Sequence, residues 1–482
     1  MEDRTLGRCL TEYAGGGYYP YHMPGHKRRG AQGGSFSEAL AASMRYDITE
    51  IDGFDNLHEP EGILLEAQER AAALYGADDC FYSVNGSTAG ILTAVSAAVP
   101  EGGKLIMARN CHKAVYHSVY LRHLEPVYLY PGTVGDTELA APVTAAQVEE
   151  ALEQNPDAKA VLIVSPTYDG VAADVAGIAK AVHRRGVPLI VDAAHGAHFG
   201  LHPGFPESPV RLGADLTVVS LHKTMPCPTQ TALLLCCGSR VAKERLRLFE
   251  GIYQTSSPSY LLMAAMDECV SAVRRTGAAL WDAFFRERAA FLEQCSGLLG
   301  LRILTDGTFE LGKTGEQLKF LMDPGKILIE TSKTCLTGKQ FYDILLEQYH
   351  LQMEMAAGNY VTAIMTCCDS KEGWQRLAEA LVSIDRSVAG SVPGHESRLR
   401  EYPFLEKAVS LTEALDAPKE KASLEEAEGK ISGGFVNLYP PGIPVVVPGE
   451  RISREAARLI MRYRQQNLPL QGAEEGAITI LK

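Results

Sequence analysis

Short apolar runs, rich in Val, Ile and Leu and closed by polar or turn residues, recur through the middle of the chain at 80–84, 104–108, 125–130, 158–164, 188–191, 215–220 and 230–237. Runs of this kind, apolar throughout instead of alternating, predict strands buried on both faces. Between them lie stretches with helical spacing: Gly62 to Tyr75, stopped by Gly76; Ile91 to Val99; a helix opened by the capping-box pattern Thr144-Ala145-Ala146-Gln147; and Asp174 to Arg185. Strand and helix in alternation predict βαβ units and a mostly parallel sheet. Beyond Gly300 short strands (Lys326 to Glu330, Tyr360 to Thr366) alternate with helices (Thr337 to Tyr349, Glu372 to Ser383), a smaller α+β lobe. The expected fold is therefore α/β: an N-terminal arm at 1–60, a large domain with a mostly parallel central sheet at 61–295, and a C-terminal α+β domain at 296–482. By composition the Gly-, Tyr- and His-rich arm reads as loop, and the charge-rich stretch Gly394 to Lys430 as a linker. Pro24-Gly25 keeps His22 and His26 off a common helical face, which argues against a metal pair there.

In open α/β sheets ligands bind at the carboxyl ends of the strands. Two of the runs end in chemistry: one in Asp192-Ala193-Ala194-His195, the other in Ser220-Leu221-His222-Lys223. A lysine just past a buried strand can be desolvated into an amine nucleophile. An acid at the end of a neighbouring strand is placed to hold a pyridinium nitrogen. A third run leads into Asn85-Gly86-Ser87-Thr88-Ala89-Gly90, where a glycine, two hydroxyls and a helix start make a phosphate cradle. The same pattern alone also serves as an ordinary N-cap. Gly307-Thr308-Phe309-Glu310-Leu311-Gly312-Lys313-Thr314 satisfies the Walker A spacing. It alternates like a strand, however, and Gly315 and Asp323-Pro324-Gly325 leave little room for the helix a P-loop must launch. No G-x-G-x-x-G follows a strand, so nothing supports a dinucleotide site.

With 482 residues, 46% of them hydrophobic and 22% charged, the chain suits two or three globular domains. A net charge of -13 argues against nucleic acid as a partner and is compatible with a cationic substrate. Eleven cysteines, with no C-x-x-C, favour reduced thiols over a disulfide framework or structural zinc. The N-terminus lacks an apolar signal core, no run is long enough to span a bilayer, and the expected compartment is the cytoplasm.

The segments VDAAHGAHFG and SLHKTMPCPTQTALL resemble the core of the Orn/Lys/Arg decarboxylase family, pyridoxal phosphate (PLP) enzymes of the aspartate-aminotransferase fold. The resemblance extends, in family order, through Pro24-Gly25-His26-Lys27, Asp47-Ile48-Thr49-Glu50, Asp55-Asn56-Leu57-His58-Glu59-Pro60, Ser165-Pro166-Thr167-Tyr168-Asp169-Gly170-Val171, Asn437-Leu438-Tyr439-Pro440-Pro441-Gly442-Ile443-Pro444 and Val447-Pro448-Gly449-Glu450. It implies a PLP-dependent decarboxylase acting on arginine, lysine or ornithine and yielding polyamine precursors, in the short form without an N-terminal wing. On the same resemblance Lys223 binds the cofactor's aldehyde carbon and Asp192 its ring nitrogen. Ser87 and Thr88 bind the phosphate, His112 stacks on the pyridine face, His195 lies beside the cofactor, and Ser220 and His222 position the phosphate or the lysine. Lys223 or His222 would reprotonate the α-carbon. Glu354, within Gln352-Met353-Glu354-Met355, is the first choice to read the substrate's distal cation, and Glu450 the second. The arm and the hydroxyls of Thr255 to Ser259 are implied to meet a second copy, giving a homodimer or higher oligomer. Two alternatives share the lysine and acid: a fold type I aminotransferase and a catalytically inactive scaffold. One departure from the family is Met225-Pro226-Cys227-Pro228 after the lysine, where two prolines stiffen the loop.

Overall fold

The computed structural model describes residues 4–28, 38–134, 137, 139–305, 307–311, 316–391, 403–438 and 442–482. It has two compact units, Met1–Ala98 with Gly186–Trp281 and Val99–Arg185 with Asp282–Lys482. The first unit opens with α1 (Leu6–Gly15), α2 (Glu38–Ser43), α3 (Ile63–Tyr75), β1 (Asp79–Ser83) and α4 (Gly86–Ala98). The second opens with β2 (Lys104–Ala108), α5 (Lys113–Leu121), β3 (Glu125–Leu129), α6 (Ala145–Gln154), β4 (Ala160–Val164), β5 (Val171–Ala172) and α7 (Val175–Arg184). The chain returns to the first with β6 (Leu189–Asp192), β7 (Leu216–Ser220), the single turn α8 (Leu221–Thr224), β8 (Ala232–Cys236), α9 (Lys243–Tyr253) and the start of α10 (Tyr260–Gln294).

Seven strands make up the main sheet; the first unit contributes them in the order β1-β8-β7-β6 and the second in the order β4-β2-β3. β2 pairs in parallel with β3 and β4, and β6 in parallel with β7. β8 alone runs antiparallel to its neighbours β1 and β7, because the loop after Thr224 is too short for a crossover helix. β6, β7 and β8 are buried at every residue, as their unbroken apolar sequences predict. The capping box at Thr144 and Gln147 forms as read.

Three expectations change. The helix expected from Ile91 begins at Gly86, which places Ser87 and Thr88 in its first turn instead of a preceding loop. Gly86 makes this possible with φ of 75°, a left-handed turn that a side chain would strain. The arm contains a helix, α1, capped by Thr5 and burying Leu6, Cys9 and Leu10. Asp267 anchors it, accepting the Leu6 N–H at 2.8 Å while its carboxylate takes the Arg70 fork at 3.0 and 2.9 Å. His22 and His26 have separate partners, the Tyr13 hydroxyl and Asp47, each at 3.1 Å. The supposed linker is partly folded: residues 392–402 lie outside those described, but Leu411–Asp416 is a helix with a Ser410/Glu413 capping box. Lys419–Ser423 is a strand paired with Ala477–Leu481.

In the second unit Lys326–Glu330 lies between Tyr360–Ile364 and Arg302–Leu304, antiparallel to both, with the helices Gly338–Tyr349 and Lys371–Val388 following in the chain. The Walker-like stretch begins as a strand, Gly307–Leu311, paired with a second strand, Glu316–Met322; Gly312 to Gly315 lie outside the described residues, as do Tyr439 to Pro441 of the C-terminal motif. A strand where a P-loop requires a helix removes the nucleotide reading. No described helix is long and apolar enough to cross a membrane.

Candidate active site

Strand register brings three strand ends of the first unit to one edge. β1, β7 and β6 run the same way, Ser83 and Ser220 both pair with Ala232, and Asp192 pairs with Val218. Opposed residues share a sheet face and successive ones alternate, so Ser83, Ser220, Val218 and Asp192 all face one side. Helix α4 covers that side. A Cβ added to Gly90 would stand 3.0 Å from Val218 Cγ1, a tight contact that Val218 would have to yield to, so the helix packs closely on the sheet here. Ser83, level with Ser220, donates its hydroxyl to the carbonyl of Gly86 at 2.8 Å, tying the end of β1 to the start of α4. The first-turn amides of a helix have no acceptor within it, so Ser87 and Thr88 sit where an anion is favoured.

Lys223, half-buried in α8, places Nζ 3.0 Å from His195 Nε2. Asp192 is only 5% exposed and accepts the Ala194 N–H at 3.1 Å. Burial pushes its carboxyl above the usual range, while the charge of Lys223 and the Ala194 N–H pull it back. His222 has Nδ1 3.1 Å from the carbonyl of Thr231. Burial lowers its pKa and Lys223 lowers it further, against the Thr231 carbonyl, so its imidazole is neutral at pH 7. The Ser220 hydroxyl is fully buried with no hydrogen-bond partner among the described residues. An unpaired buried hydroxyl costs about 1–3 kcal/mol, which a ligand oxygen would relieve. An amine, a buried acid, an orphaned hydroxyl and a helix N-terminus on one edge fit the aldehyde, ring nitrogen and phosphate of PLP.

Ser87, Thr88, Asp192, His195, Ser220, His222 and Lys223 thus gather in the first unit. The remaining three expected residues belong to the second. His112 is the N-cap of α5, its Nδ1 accepting the Ala114 N–H at 3.2 Å. Glu354 is exposed, accepts the Tyr168 hydroxyl and lines a cavity of about 340 Å³ with Gln352, Met365 and Asp369. Glu450 is 1% exposed and both its oxygens accept from Arg109, at 3.0 and 2.8 Å, with the Val447 N–H on one of them at 2.8 Å. Breaking a buried pair costs on the order of 3–5 kcal/mol, whereas replacing both partners by apolar residues is often neutral. Glu450→Ala is therefore expected to lower the denaturation midpoint strongly, and Arg109→Met combined with Glu450→Met to recover much of it.

Sequence reading missed Arg109, although a charge ending the apolar β2 was the available signal. It also gave no role to Asp169, which accepts the Tyr360 hydroxyl at 2.9 Å; burial pushes its carboxyl up against Tyr360 and Lys326.

Fold and site together define a pyridoxal phosphate-dependent enzyme of fold type I. Residues 5–301 match the family model described as Orn/Lys/Arg decarboxylase, major domain, and residues 401–468 the one described as Orn/Lys/Arg decarboxylase, C-terminal domain. The arginine decarboxylase of Bacillus subtilis (strain 168) is 31% identical over 491 aligned residues, covering 100% of this chain and 98% of its own length. That of Bacillus anthracis is 30% identical, covering 100% and 97%. The solved structure of lysine decarboxylase A from Pseudomonas aeruginosa has the same fold, with a TM-score of 0.82 at 20% identity over 99% of this chain and 80% of that one. The chain belongs to the Orn/Lys/Arg decarboxylase family. It is a decarboxylase of a basic amino acid and its cofactor is PLP.

Proposed function

We propose that the chain decarboxylates arginine, releasing CO2 and the corresponding guanidino-amine, with Lys223 as the amine that carries the cofactor. The observation behind this reading is the pairing of Lys223 Nζ with His195 at 3.0 Å, just past β7, with Asp192 buried at the end of the adjacent strand. Arginine is favoured over lysine and ornithine because the relatives at 30–31% identity are named arginine decarboxylases, while those named for lysine stand at 21–22%.

When bound, PLP supplies an electron sink for the pair left as the α-carboxylate departs. The chain's own groups do the rest. His195 Nε2 accepts a hydrogen bond from Lys223 and orients its amine. Asp192 would hold the cofactor's ring nitrogen in its protonated form, which an ionised carboxylate stabilises. The α4 first turn, with Ser87 and Thr88, and the Ser220 hydroxyl would receive the phosphate. Lys223 or His222 would return a proton to the α-carbon; His222, with its Nδ1–H held by the Thr231 carbonyl, would do so only after taking a proton on Nε2. On the family resemblance His112 would stack on the ring, and Glu354, which accepts the Tyr168 hydroxyl, would read the substrate's guanidinium. The proposed compartment is the cytoplasm; a homodimer accords with the exposure of Tyr18, Tyr19, Tyr21 and Met23 on the arm, an apolar surface for a second copy.

The test is turnover of arginine, lysine and ornithine by the purified holoenzyme, following CO2, amine and keto acid. The proposal requires CO2 and amine, fastest from arginine. Faster release from lysine or ornithine would overturn the substrate choice, keto acid without amine would indicate an aminotransferase, and no cofactor absorbance after purification with added PLP would indicate an inactive scaffold.

A further inference from the structure

Helix α9 ends against the strand that leads into the phosphate cradle. Gln254, its C-cap, is 6% exposed and lies against β1, the terminal strand of the sheet order, whose other edge is taken by β8. Its Nε2 donates to the carbonyl of Tyr82 at 3.0 Å, and its Oε1 accepts the N–H of Val84 at 2.7 Å. Donating to one carbonyl and accepting from the N–H two residues on is what a neighbouring strand's peptide would do, so one side-chain amide closes the free edge of β1.

The clamp extends to the next residue. Asn85 Nδ2 donates to the carbonyl of Tyr253 at 3.0 Å, and the Tyr253 hydroxyl lies 2.9 Å from Ser96 Oγ on α4. Gly86, Ser87 and Thr88 follow immediately. The second N–H of Gln254 Nε2 goes to Glu250, whose carboxyl burial pushes up to about 8. That group is therefore neutral at pH 7 and sets no negative charge beside the cradle.

We propose that Gln254 is a positioning residue for the cofactor's phosphate: by closing the β1 edge it fixes where the first-turn amides and hydroxyls of α4 stand. This rests on the reading that Ser87 and Thr88 receive that phosphate. Gln254 acts through the backbone of Tyr82 and Val84.

The test separates phosphate from ring. Apoenzyme is titrated with PLP and with pyridoxal, which has the same ring and aldehyde but no phosphate. Gln254→Met keeps the side chain's length and removes both bonds, leaving the Tyr82 carbonyl and Val84 N–H unpaired. It is expected to weaken PLP roughly tenfold or more and pyridoxal by less than about twofold, with kcat at saturating PLP little changed. Equal weakening of both ligands, or of neither, overturns the proposal. Should Gln254→Met fail to fold, Asn85→Ala decides, with PLP weakened about threefold relative to pyridoxal on the scale of one net hydrogen bond. Ser87→Ala tests the underlying reading. If it leaves the PLP-to-pyridoxal ratio intact, the cradle assignment fails; if it lowers the ratio while Gln254→Met does not, only the role of Gln254 fails.

Discussion

Replacing Lys223 by alanine is expected to lower kcat by roughly 10⁴-fold or more, the scale seen when a covalent nucleophile is removed. PLP would still bind through its phosphate but would be lost on dialysis. The physical reason is that a single group combines three properties at this edge: an amine, a half-buried position one residue before the end of a helical turn, and an imidazole nitrogen 3.0 Å away to take its hydrogen bond. Lys223→Arg separates charge from nucleophilicity. It keeps the cation facing Asp192, but a guanidinium does not deprotonate in proteins, so the loss should equal that of alanine. Arginine restoring more than a small fraction of the rate would show that the lysine acts by charge alone.

Asp192→Asn should reduce kcat by about 10²–10³-fold, the cost of removing one preorganised electrostatic partner from a reacting centre. The cofactor should remain bound, because the amine and the phosphate cradle are intact. Asparagine fills the same space at the end of β6 and can still accept the Ala194 N–H, so the change isolates the charge. Burial alone would leave Asp192 protonated more readily than an exposed acid, and Lys223 counters that tendency. A cation on the ring nitrogen would complete the stabilisation of the ionised form. Cofactor spectra and kcat measured together check this. A loss below tenfold would remove Asp192 from the ring nitrogen.

The main sheet and its reactive edge were legible because each strand is an unbroken apolar run that stops at a chemically distinct residue. Leu189–Asp192 stops at Asp192 and Leu216–Ser220 three residues before Lys223, and their shortness and β-branched content favour strands buried on both faces. The capping box at Thr144 was legible for a local reason, since both partners lie within one turn. The start of α4 was not, since Gly86, Ser87 and Thr88 are weak helix formers held in the first turn by a positive-φ glycine and by Ser83. Nor were Glu450 and Gln254. Arg109 and Glu450 are 341 positions apart, Gln254 and Val84 170 apart, and no local pattern encodes such pairings. The family motif drew attention to Glu450; its burial against Arg109 is visible only in the structure.

The most direct test is to reduce the holoenzyme with borohydride, digest it and locate the pyridoxyl group by mass spectrometry. The account requires the label on Lys223, in the peptide that follows Ser220. A label on any other lysine, with Lys223 recovered unmodified, would contradict it.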